Sequence, residues 1–241
     1  MHIIDCDDYE HLSVQAGALV IGAVEKRNDL LLCAATGHSP RGVYAELVKK
    51  SDTDRRFFDH LRVVQLDEWG GIPSTHPASC EHYLRTRLLE PLAIPPDRYL
   101  SFSSAAPDPA VECERVQAEL AHRGSIDVCV LGMGSNGHVG FNEPGPSLIP
   151  HCHVAQLSEA SRRHAMARSM DPAPEFGLTL GLREILASRR IVLLVAGEGK
   201  DRATAALLSG EVSTALPASF LWLHDHVECL IDRRAVGRLG G

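Results

Sequence analysis

The segment LLLCAATGHSP, residues 30–40, decides the fold. Its first six residues form a continuous apolar run, which is typical of a β-strand buried on both faces of a parallel sheet. Its last five residues indicate a tight turn, in which Ser39 caps a helix and Pro40 is the first helical residue. The segment therefore predicts a strand–turn–helix unit whose turn lies at the carboxyl end of the strand.

The same alternation of apolar runs and amphipathic stretches continues along the chain. Strands are predicted at residues 30–35, 62–66, 126–131, 191–196, 220–223 and 227–231. Helices are predicted at residues 7–27, 40–50, 77–90, 108–122, 181–187 and 201–208. This alternation predicts an α/β, Rossmann-like fold with a mostly parallel sheet and helices on both faces. No linker divides the chain, so residues 1–241 are expected to form one domain.

Composition excludes several classes of protein. The 24 Lys and Arg residues are outnumbered by 31 Asp and Glu residues, and the formal net charge is −7. A nucleic-acid binder would need a clustered basic excess, and a membrane protein would need an apolar run of about 18 residues. The seven cysteines are odd in number and form no Cys-x-x-Cys pair, and no basic, apolar leader is present. We therefore expect a cytoplasmic protein without a nucleic-acid or membrane partner.

Four loops that follow predicted strands are rich in Gly, His, acidic residues and Lys: residues 36–40, 67–77, 132–150 and 197–201. In open α/β sheets, ligands bind beyond the carboxyl ends of the strands. These loops are therefore expected to converge on one site.

The loop LGMGSNGHVGFNEPGP, residues 131–146, contains a literal G-x-G-x-x-G. A dinucleotide site would need a helix to begin there and an acidic residue about 20 positions later. Later glycines and prolines oppose the helix, and residues 152–157 contain no acid. The loop instead brings Asn136, His138 and Glu143 close together, and a His oriented by a carboxylate and an amide can shuttle protons near neutral pH. The alternative is a loop packed by its own hydrogen bonds.

Asp67 and Glu68 end a predicted strand, where neighbouring side chains point to opposite sides. One carboxylate can then face a ligand as a general base while the other is solvated or paired. The alternative is that Asp67 only caps the following turn.

The turn Thr36, Gly37, His38 and Ser39 precedes a helix N-terminus, where free N–H groups and the helix dipole favour an anion. It lacks the ending of a nucleotide P-loop, and this absence favours a smaller phosphate as ligand. A plain capped turn is the alternative.

Lys200 precedes another helix, where a cation opposes the dipole. This conflict favours an anionic partner for Lys200 over a side chain that points to water.

Two short histidine clusters, His151-Cys152-His153 and His224-Asp225-His226, have the spacing of alternating strand residues. Neither is followed by a third ligand at a suitable spacing, so they are interpreted as ordinary strand residues and no metal site is predicted.

Together these motifs resemble the hexosamine-6-phosphate deaminase/isomerases. The matching segments are Ala35-Thr36-Gly37 with Ser39-Pro40, Leu66-Asp67-Glu68-Trp69, and Gly134-x-Asn136-Gly137-His138 with Phe141-Asn142-Glu143-Pro144-Gly145. The similarity extends from about residue 30 to residue 232. The segments 180–182, 195–200 and 212–224 are more similar to the galactosamine-6-phosphate branch than to the glucosamine-6-phosphate branch.

The resemblance implies a mechanism. His138, with Asn136 and Glu143, opens the sugar ring, and Asp67 moves a proton between C2 and C1 through an enol-amine. Ammonia leaves, and galactosamine 6-phosphate yields tagatose 6-phosphate. Asn136 stands where some members carry Asp, and an amide orients the histidine but does not ionise.

The resemblance also implies that Thr36, Gly37, His38, Ser39 and Lys200 hold the phosphate. Arg168 is the expected phosphate-binding arginine, with Arg162 and Arg163 as alternatives. No metal or organic cofactor is implied.

Three alternatives remain open. They are a glucosamine-6-phosphate deaminase, a 6-phosphogluconolactonase-like hydrolase, and a non-catalytic sugar-phosphate sensor. The roughly 30 residues before the first predicted strand are too few for the helix-turn-helix that such a sensor carries. The sequence leaves the oligomeric state open, a homo-oligomer included.

Overall fold

The computed structural model describes residues 1–163, 165–171 and 173–236. The described strands are β1 (His2–Cys6), β2 (Leu31–Ala34), β3 (Arg62–Gln65), β4 (Asp67–Trp69), β5 (Tyr99–Leu100), β6 (Val128–Gly132), β7 (His153–Gln156), β8 (Phe176–Thr179), β9 (Arg190–Val195) and β10 (Val227–Asp232). The α-helices are α1 (Tyr9–Lys26), α2 (His38–Thr53), α3 (Cys80–Leu84), α4 (Pro109–Arg123), α5 (Glu159–Arg162), α6 (Ala165–Arg168), α7 (Leu182–Leu186), α8 (Asp201–Leu208) and α9 (Arg233–Val236). A π-helical segment (Arg85–Leu89) and two 3-10 segments (Pro96–Arg98 and Pro217–Leu223) complete the described elements.

The main sheet has seven strands in the order β1-β10-β9-β6-β2-β3-β5, and every neighbouring pair is parallel. Strand β2 lies inside this sheet, and all four of its residues are fully buried. Its side chains alternate between the two faces: Leu31 and Cys33 join one apolar cluster, and Leu32 and Ala34 join the other. The predicted parallel α/β fold, with strands buried on both faces, is confirmed.

Helices cover both faces of the main sheet. Helices α1 and α2 pack their apolar stripes, including Leu12 and Leu47, onto one face. Helices α4 and α8 cover the other face with Val116 and Leu207. Helix α1 begins after Asp8, whose carboxylate accepts the His11 N–H at 2.9 Å as an N-cap. The amphipathic spacing predicted these helices because each buries one apolar stripe.

A second sheet of three antiparallel strands, in the order β4-β8-β7, was not predicted. The chain passes from the parallel sheet into this sheet at Leu66, whose N–H still donates to Ala34 at 3.1 Å. Strand β4 has only three residues, Asp67, Glu68 and Trp69, and two of them are acidic. Such a short polar strand has no apolar run for periodicity to detect. Strands β1 and β5 were missed as well.

Two local predictions are wrong. Helix α2 begins at His38 rather than at Pro40, since Gly37 turns the chain with a φ of 102° that other residues rarely adopt. The Ser39 hydroxyl is therefore not a cap, and it donates instead to Ala196 O at 3.3 Å. The predicted strand at residues 220–223 lies in the 3-10 segment Pro217–Leu223. A short apolar run does not distinguish a strand from a buried helical turn.

None of the helices in the described ranges is both long enough and apolar enough to span a membrane. That residues 1–241 form a single domain stays a prediction.

Candidate active site

A cavity of about 610 Å³ lies at the carboxyl ends of the parallel strands. All four predicted loops contribute to its lining, through Thr36–Ser39, Asp67, the segment after β6 and Lys200. The convergence expected from the sequence is therefore confirmed. A fifth element, the segment around α5, also lines the cavity and was not predicted as a loop of the site.

One end of the cavity has the features of an anion-binding site. The N-terminus of the 16-residue helix α2 opens onto it, and the N–H groups of Gly37, His38 and Ser39 have no acceptor within the described ranges. The Nζ of Lys200 lies 3.3 Å from the Oγ of Ser39. Burial lowers the pKa of Lys200 to about 8, because the charged amine is poorly solvated there. A helix N-terminus beside a desolvated ammonium favours a phosphate.

Helix α1 supports this anion-binding end. The Tyr9 ring stacks on the His38 imidazole with 4.6 Å between ring centroids. The Tyr9 hydroxyl donates to His38 O at 2.7 Å and accepts the Gly42 N–H at 2.8 Å. The pKa of His38 is lowered by burial and by the nearby charges of Arg41 and Lys200. His38 therefore lines the cavity as a side chain held in a fixed orientation.

The two neighbouring carboxylates of β4 have different surroundings, as their strand alternation predicted. Asp67 lines the cavity, and no group in the described part of the chain donates a hydrogen bond to its carboxylate. Burial and the nearby Glu68 charge raise the pKa of Asp67 to about 7. Glu68 is fully buried on the opposite side, and burial raises its pKa although four donors bond to it. The paired carboxylate is therefore Glu68, and Asp67 is available to a ligand.

The loop after β6 brings His138, Glu143 and Asn136 together, as predicted. The Nδ1 of His138 lies 3.5 Å from Oε2 of Glu143. The amide of Asn136 donates to the same carboxylate oxygen at 2.9 Å, and its carbonyl oxygen accepts the backbone N–H of His138 at 3.2 Å. Burial alone would raise the pKa of Glu143, but bonds from His138, Ser161 and Asn136 lower it to about 2. Glu143 is therefore a carboxylate at neutral pH that orients the imidazole.

Glycine allows the imidazole to lie against this loop. A Cβ placed on Gly134 would lie 2.3 Å from Cε1 of His138, so any other residue here would displace the ring. No helix begins within residues 133–152, as expected from their glycines and prolines. The G-x-G-x-x-G therefore lacks the helix that a dinucleotide site needs. The glycines of this loop thus make room for a side chain of the same loop.

Two serines that sequence reasoning missed complete the arrangement. Ser158 is the N-cap of α5, and its Oγ accepts from Ser161 N and from Asn136 Nδ2, each at 3.2 Å. The Ser161 hydroxyl donates to Glu143 and lies 3.3 Å from Nδ1 of His138. The sequence carried only the weak signal of a Ser that caps a short helix. Contact with a histidine 23 positions earlier is visible only in the tertiary structure.

The arginine expected at the phosphate is placed differently. Arg168 is exposed at the end of α6 and is not among the residues that line the cavity. Arg163 lines the cavity, and it is ion-paired with Glu159 on the same segment. Arg163, one of the two alternatives from the sequence, is therefore the arginine positioned to reach a ligand.

The wall beside Asp67 is apolar. Trp69 and Phe141 pack with 4.6 Å between ring centroids, and Met166 lies beside them at the cavity. A bound ligand would be shielded from water on this side, which strengthens electrostatic interactions within the cavity.

The two histidine clusters lie outside the cavity. His151 Nδ1 lies 3.0 Å from Glu184 Oε1, and His153 is in β7. His224 and His226 were expected in a strand, but they lie in the connection before β10. There, His224 Nε2 contacts Ser188 O at 2.7 Å. No group of three or more His, Cys, Asp or Glu residues in the described segments is arranged to hold a metal.

The cavity thus combines an anion site, a carboxylate that titrates near neutrality and a histidine with an ionised partner. Such a set can bind a phosphorylated molecule and move protons to and from it.

The chain matches the family model "Glucosamine-6-phosphate isomerases/6-phosphogluconolactonase" over residues 10–230. It is 42% identical to "Putative deaminase AgaI" of Escherichia coli (strain K12), over 94% of this chain and 90% of that protein. It is 38% identical to glucosamine-6-phosphate deaminase 1 of Bacillus subtilis (strain 168), over 98% of each chain.

Solved structures agree with these matches. The structure of a monomeric glucosamine-6-phosphate deaminase of the NagB superfamily superposes with a TM-score of 0.94 at 37% identity, over 100% of both chains. The 6-phosphogluconolactonase of Trypanosoma brucei superposes with a TM-score of 0.76 at 22% identity, over 99% of this chain and 98% of the other. At that identity the second likeness concerns the fold alone.

Proposed function

Because the chain belongs to the glucosamine-6-phosphate isomerase/6-phosphogluconolactonase family and is a hexosamine-6-phosphate deaminase/isomerase-type enzyme, we propose that it converts galactosamine 6-phosphate and water into tagatose 6-phosphate and ammonia. The observation that carries the proposal is that Asp67 and His138 line one cavity together with the anion-binding end. Neither residue alone performs the whole reaction, since ring opening and proton transfer between carbons act at different atoms.

Substrate binding begins with the phosphate. The N–H groups at the start of α2 and the Nζ of Lys200 receive its oxygens, and Arg163 approaches from the α5 segment. A phosphate fixed at one end of the cavity places the sugar carbons between His138 and Asp67. This positioning lowers the entropic cost of the later proton transfers.

Ring opening falls to His138. The imidazole takes the proton of the C1 hydroxyl and delivers a proton to the ring oxygen, which breaks the C1–O5 bond and forms the open-chain aldehyde. Glu143 stabilises the imidazolium that forms in between, because an ionised carboxylate lies beside Nδ1. Asn136 fixes the carboxylate through its amide.

Isomerisation falls to Asp67. The carboxylate removes the C2 proton while O1 takes a proton from water, which gives an enol-amine. It then returns a proton to C1 while the amino group loses one to water, which leaves an imine at C2. Water adds to this imine, the C2–N bond breaks, and ammonia leaves from the ketose phosphate. A pKa of about 7 suits both directions of transfer, since the acid and base forms are then similarly populated near neutral pH.

The galactosamine assignment rests on the resemblance of residues 180–182, 195–200 and 212–224 to that branch. The deaminase part of the proposal is also supported by 42% identity to "Putative deaminase AgaI" and 38% identity to glucosamine-6-phosphate deaminase 1. Ammonia release from galactosamine 6-phosphate and from glucosamine 6-phosphate, measured side by side, tests it. A higher kcat/KM for the galacto epimer supports the assignment, and a higher value for the gluco epimer makes the enzyme a glucosamine-6-phosphate deaminase.

A second measurement separates the reaction types. In heavy water, the proposed reaction places solvent deuterium on C1 of the ketose, because the proton that Asp67 carries exchanges with water. A 6-phosphogluconolactonase would hydrolyse its lactone without exchange at carbon, and a non-catalytic sensor would return the sugar unchanged. Detection of either pattern would reject the proposed reaction.

A further inference from the structure

The hydroxyl of Ser161 occupies an unusual place in the candidate site. Ser161 belongs to α5, outside the loop that carries His138, and it is 2% exposed. Its Oγ contacts the Glu143 carboxylate and lies 3.3 Å from Nδ1 of His138. A residue from a separate segment therefore contacts both members of the His–Glu pair.

The donors and acceptors around Nδ1 allow only one consistent arrangement. Ser161 has a single hydroxyl proton, and it is donated to the Glu143 carboxylate, which offers only acceptor oxygens. The Ser161 oxygen can then only accept at Nδ1, and so can Oε2 of Glu143 at 3.5 Å. Nδ1 must therefore carry the proton of the neutral imidazole. Nε2 has no hydrogen-bond partner in the described part of the chain and is free for a ligand.

We propose that Ser161 is a positioning residue: its hydroxyl accepts the Nδ1 proton of His138 and donates to Glu143, and so presents Nε2 to the substrate as the proton acceptor. The histidine tautomer thereby depends on where α5 lies. Ser158 fixes this placement, because its Oγ bonds to both Ser161 N and Asn136. The kinetic test of this inference rests on the proposed function, whereas the structural test does not.

The structural test needs no substrate. Protein with ¹⁵N-labelled histidine is examined by NMR, in which the two imidazole tautomers have distinct nitrogen shifts, and the His138→Gln variant identifies the signals. The expected result is an Nδ1–H tautomer in the wild type and in Ser161→Thr, which keeps the hydroxyl. Ser161→Ala is expected to give a mixture with the Nε2–H tautomer. An Nε2–H tautomer in the wild type, or an unchanged tautomer in Ser161→Ala, overturns the proposal.

The kinetic test uses the same variants. Ser161→Ala is expected to lower kcat/KM for the closed-ring sugar phosphate by about tenfold, the loss typical of one hydrogen bond to an ionised group. Ser161→Thr is expected to stay within about a factor of two of the wild type. The matched control is Ser169→Ala, an exposed serine whose hydroxyl donates to Met166 O, and it is expected to leave kcat/KM unchanged. Equal activity of Ser161→Ala and Ser169→Ala contradicts the positioning role.

Two further outcomes are separable. If the wild type releases no ammonia from either amino-sugar phosphate, the proposed function fails, while the tautomer measurement still decides the role of Ser161. If Ser161→Ala does not fold, Ser161→Cys replaces it, because a thiol fills similar space but bonds weakly. A wild-type tautomer pattern in Ser161→Cys overturns the proposal, and a shifted pattern supports it.

Discussion

Asp67 and Glu68 are adjacent in the chain, yet Asp67 borders the cavity without a donor from the described residues, while Glu68 accepts four hydrogen bonds on the opposite side of β4. Oε1 of Glu68 accepts Trp69 N at 2.8 Å and Cys80 N at 2.9 Å, and Oε2 accepts Glu81 N at 2.8 Å and Gln65 Nε2 at 3.0 Å. The buried charge of Glu68 is thus fixed in position. It is also close enough to influence the titration of Asp67.

The first prediction concerns Asp67→Asn and activity. The amide cannot remove a proton from carbon, so kcat should fall by about 10²–10⁴-fold. Binding of the sugar phosphate should persist, because the anion-binding groups are untouched. Ammonia release and calorimetric titration with substrate measure the two effects. Near-normal ammonia release by this variant would remove Asp67 from its proposed role.

The same substitution should stabilise the protein in a defined pH range. The folded pKa of Asp67, about 7, lies above its ordinary value of 3.8, so the folded state binds this proton more tightly than the unfolded state. The wild type therefore loses stability as the pH rises from about 4 to about 7, and Asn does not titrate. The free energy of unfolding of Asp67→Asn should exceed that of the wild type by an amount that grows over this range to the order of a few kcal/mol and stays constant above it. Urea unfolding at pH 4, 6 and 8 measures it, and a constant difference would contradict the raised pKa.

Glu68→Gln should change both stability and the pH profile. The amide replaces one acceptor oxygen by a donor that faces N–H groups, which should cost about 1–3 kcal/mol of stability. Removal of the negative charge should lower the pKa of Asp67, so the acid limb of kcat/KM should move to lower pH. Urea unfolding and a pH–rate profile measure the two changes. An acid limb at the wild-type pH would show that Glu68 does not influence Asp67.

Deprotonation of Lys200 should produce an alkaline limb in the pH profile of kcat/KM. Burial lowers its pKa to about 8, so the free enzyme loses this positive charge above that pH and KM should rise while kcat holds. The substrate phosphate does not cause this limb, because its second pKa is near 6. Lys200→Gln should raise KM by roughly tenfold below pH 8, match the wild type well above that pH, and so abolish the limb. A Lys200→Gln profile that keeps the limb would assign it to another group.

The two arginines on the α5–α6 segment form a matched pair. Arg163 lines the cavity and Arg168 does not, although both are exposed and lie five positions apart. Arg163→Ala should raise KM by about fivefold with little change in kcat, and Arg168→Ala should stay within about a factor of two. Steady-state kinetics of both variants decide the case. A larger effect at Arg168 would restore the assignment expected from the sequence.

The sequence by itself determined the parallel α/β architecture and the place of the site. Apolar runs such as Leu30–Ala35 must be buried on both faces, and the periodicity of amphipathic stretches such as α1 fixes which side of each helix is covered. Once the strands are parallel, their carboxyl ends share one edge. That Asp67, His138 and Lys200 line one cavity was therefore predictable from the loops alone.

Only the tertiary structure decided which groups touch. The antiparallel sheet that turns Glu68 away from the cavity consists of strands of only three or four residues, which are too short to carry a periodic signal. The contact of Ser161 with His138 and that of Lys200 with Ser39 join segments 23 and 161 positions apart. A local pattern specifies whether a residue is buried, but such contacts depend on how whole elements pack. For the same reason the cavity includes Arg163 and leaves Arg168 outside it.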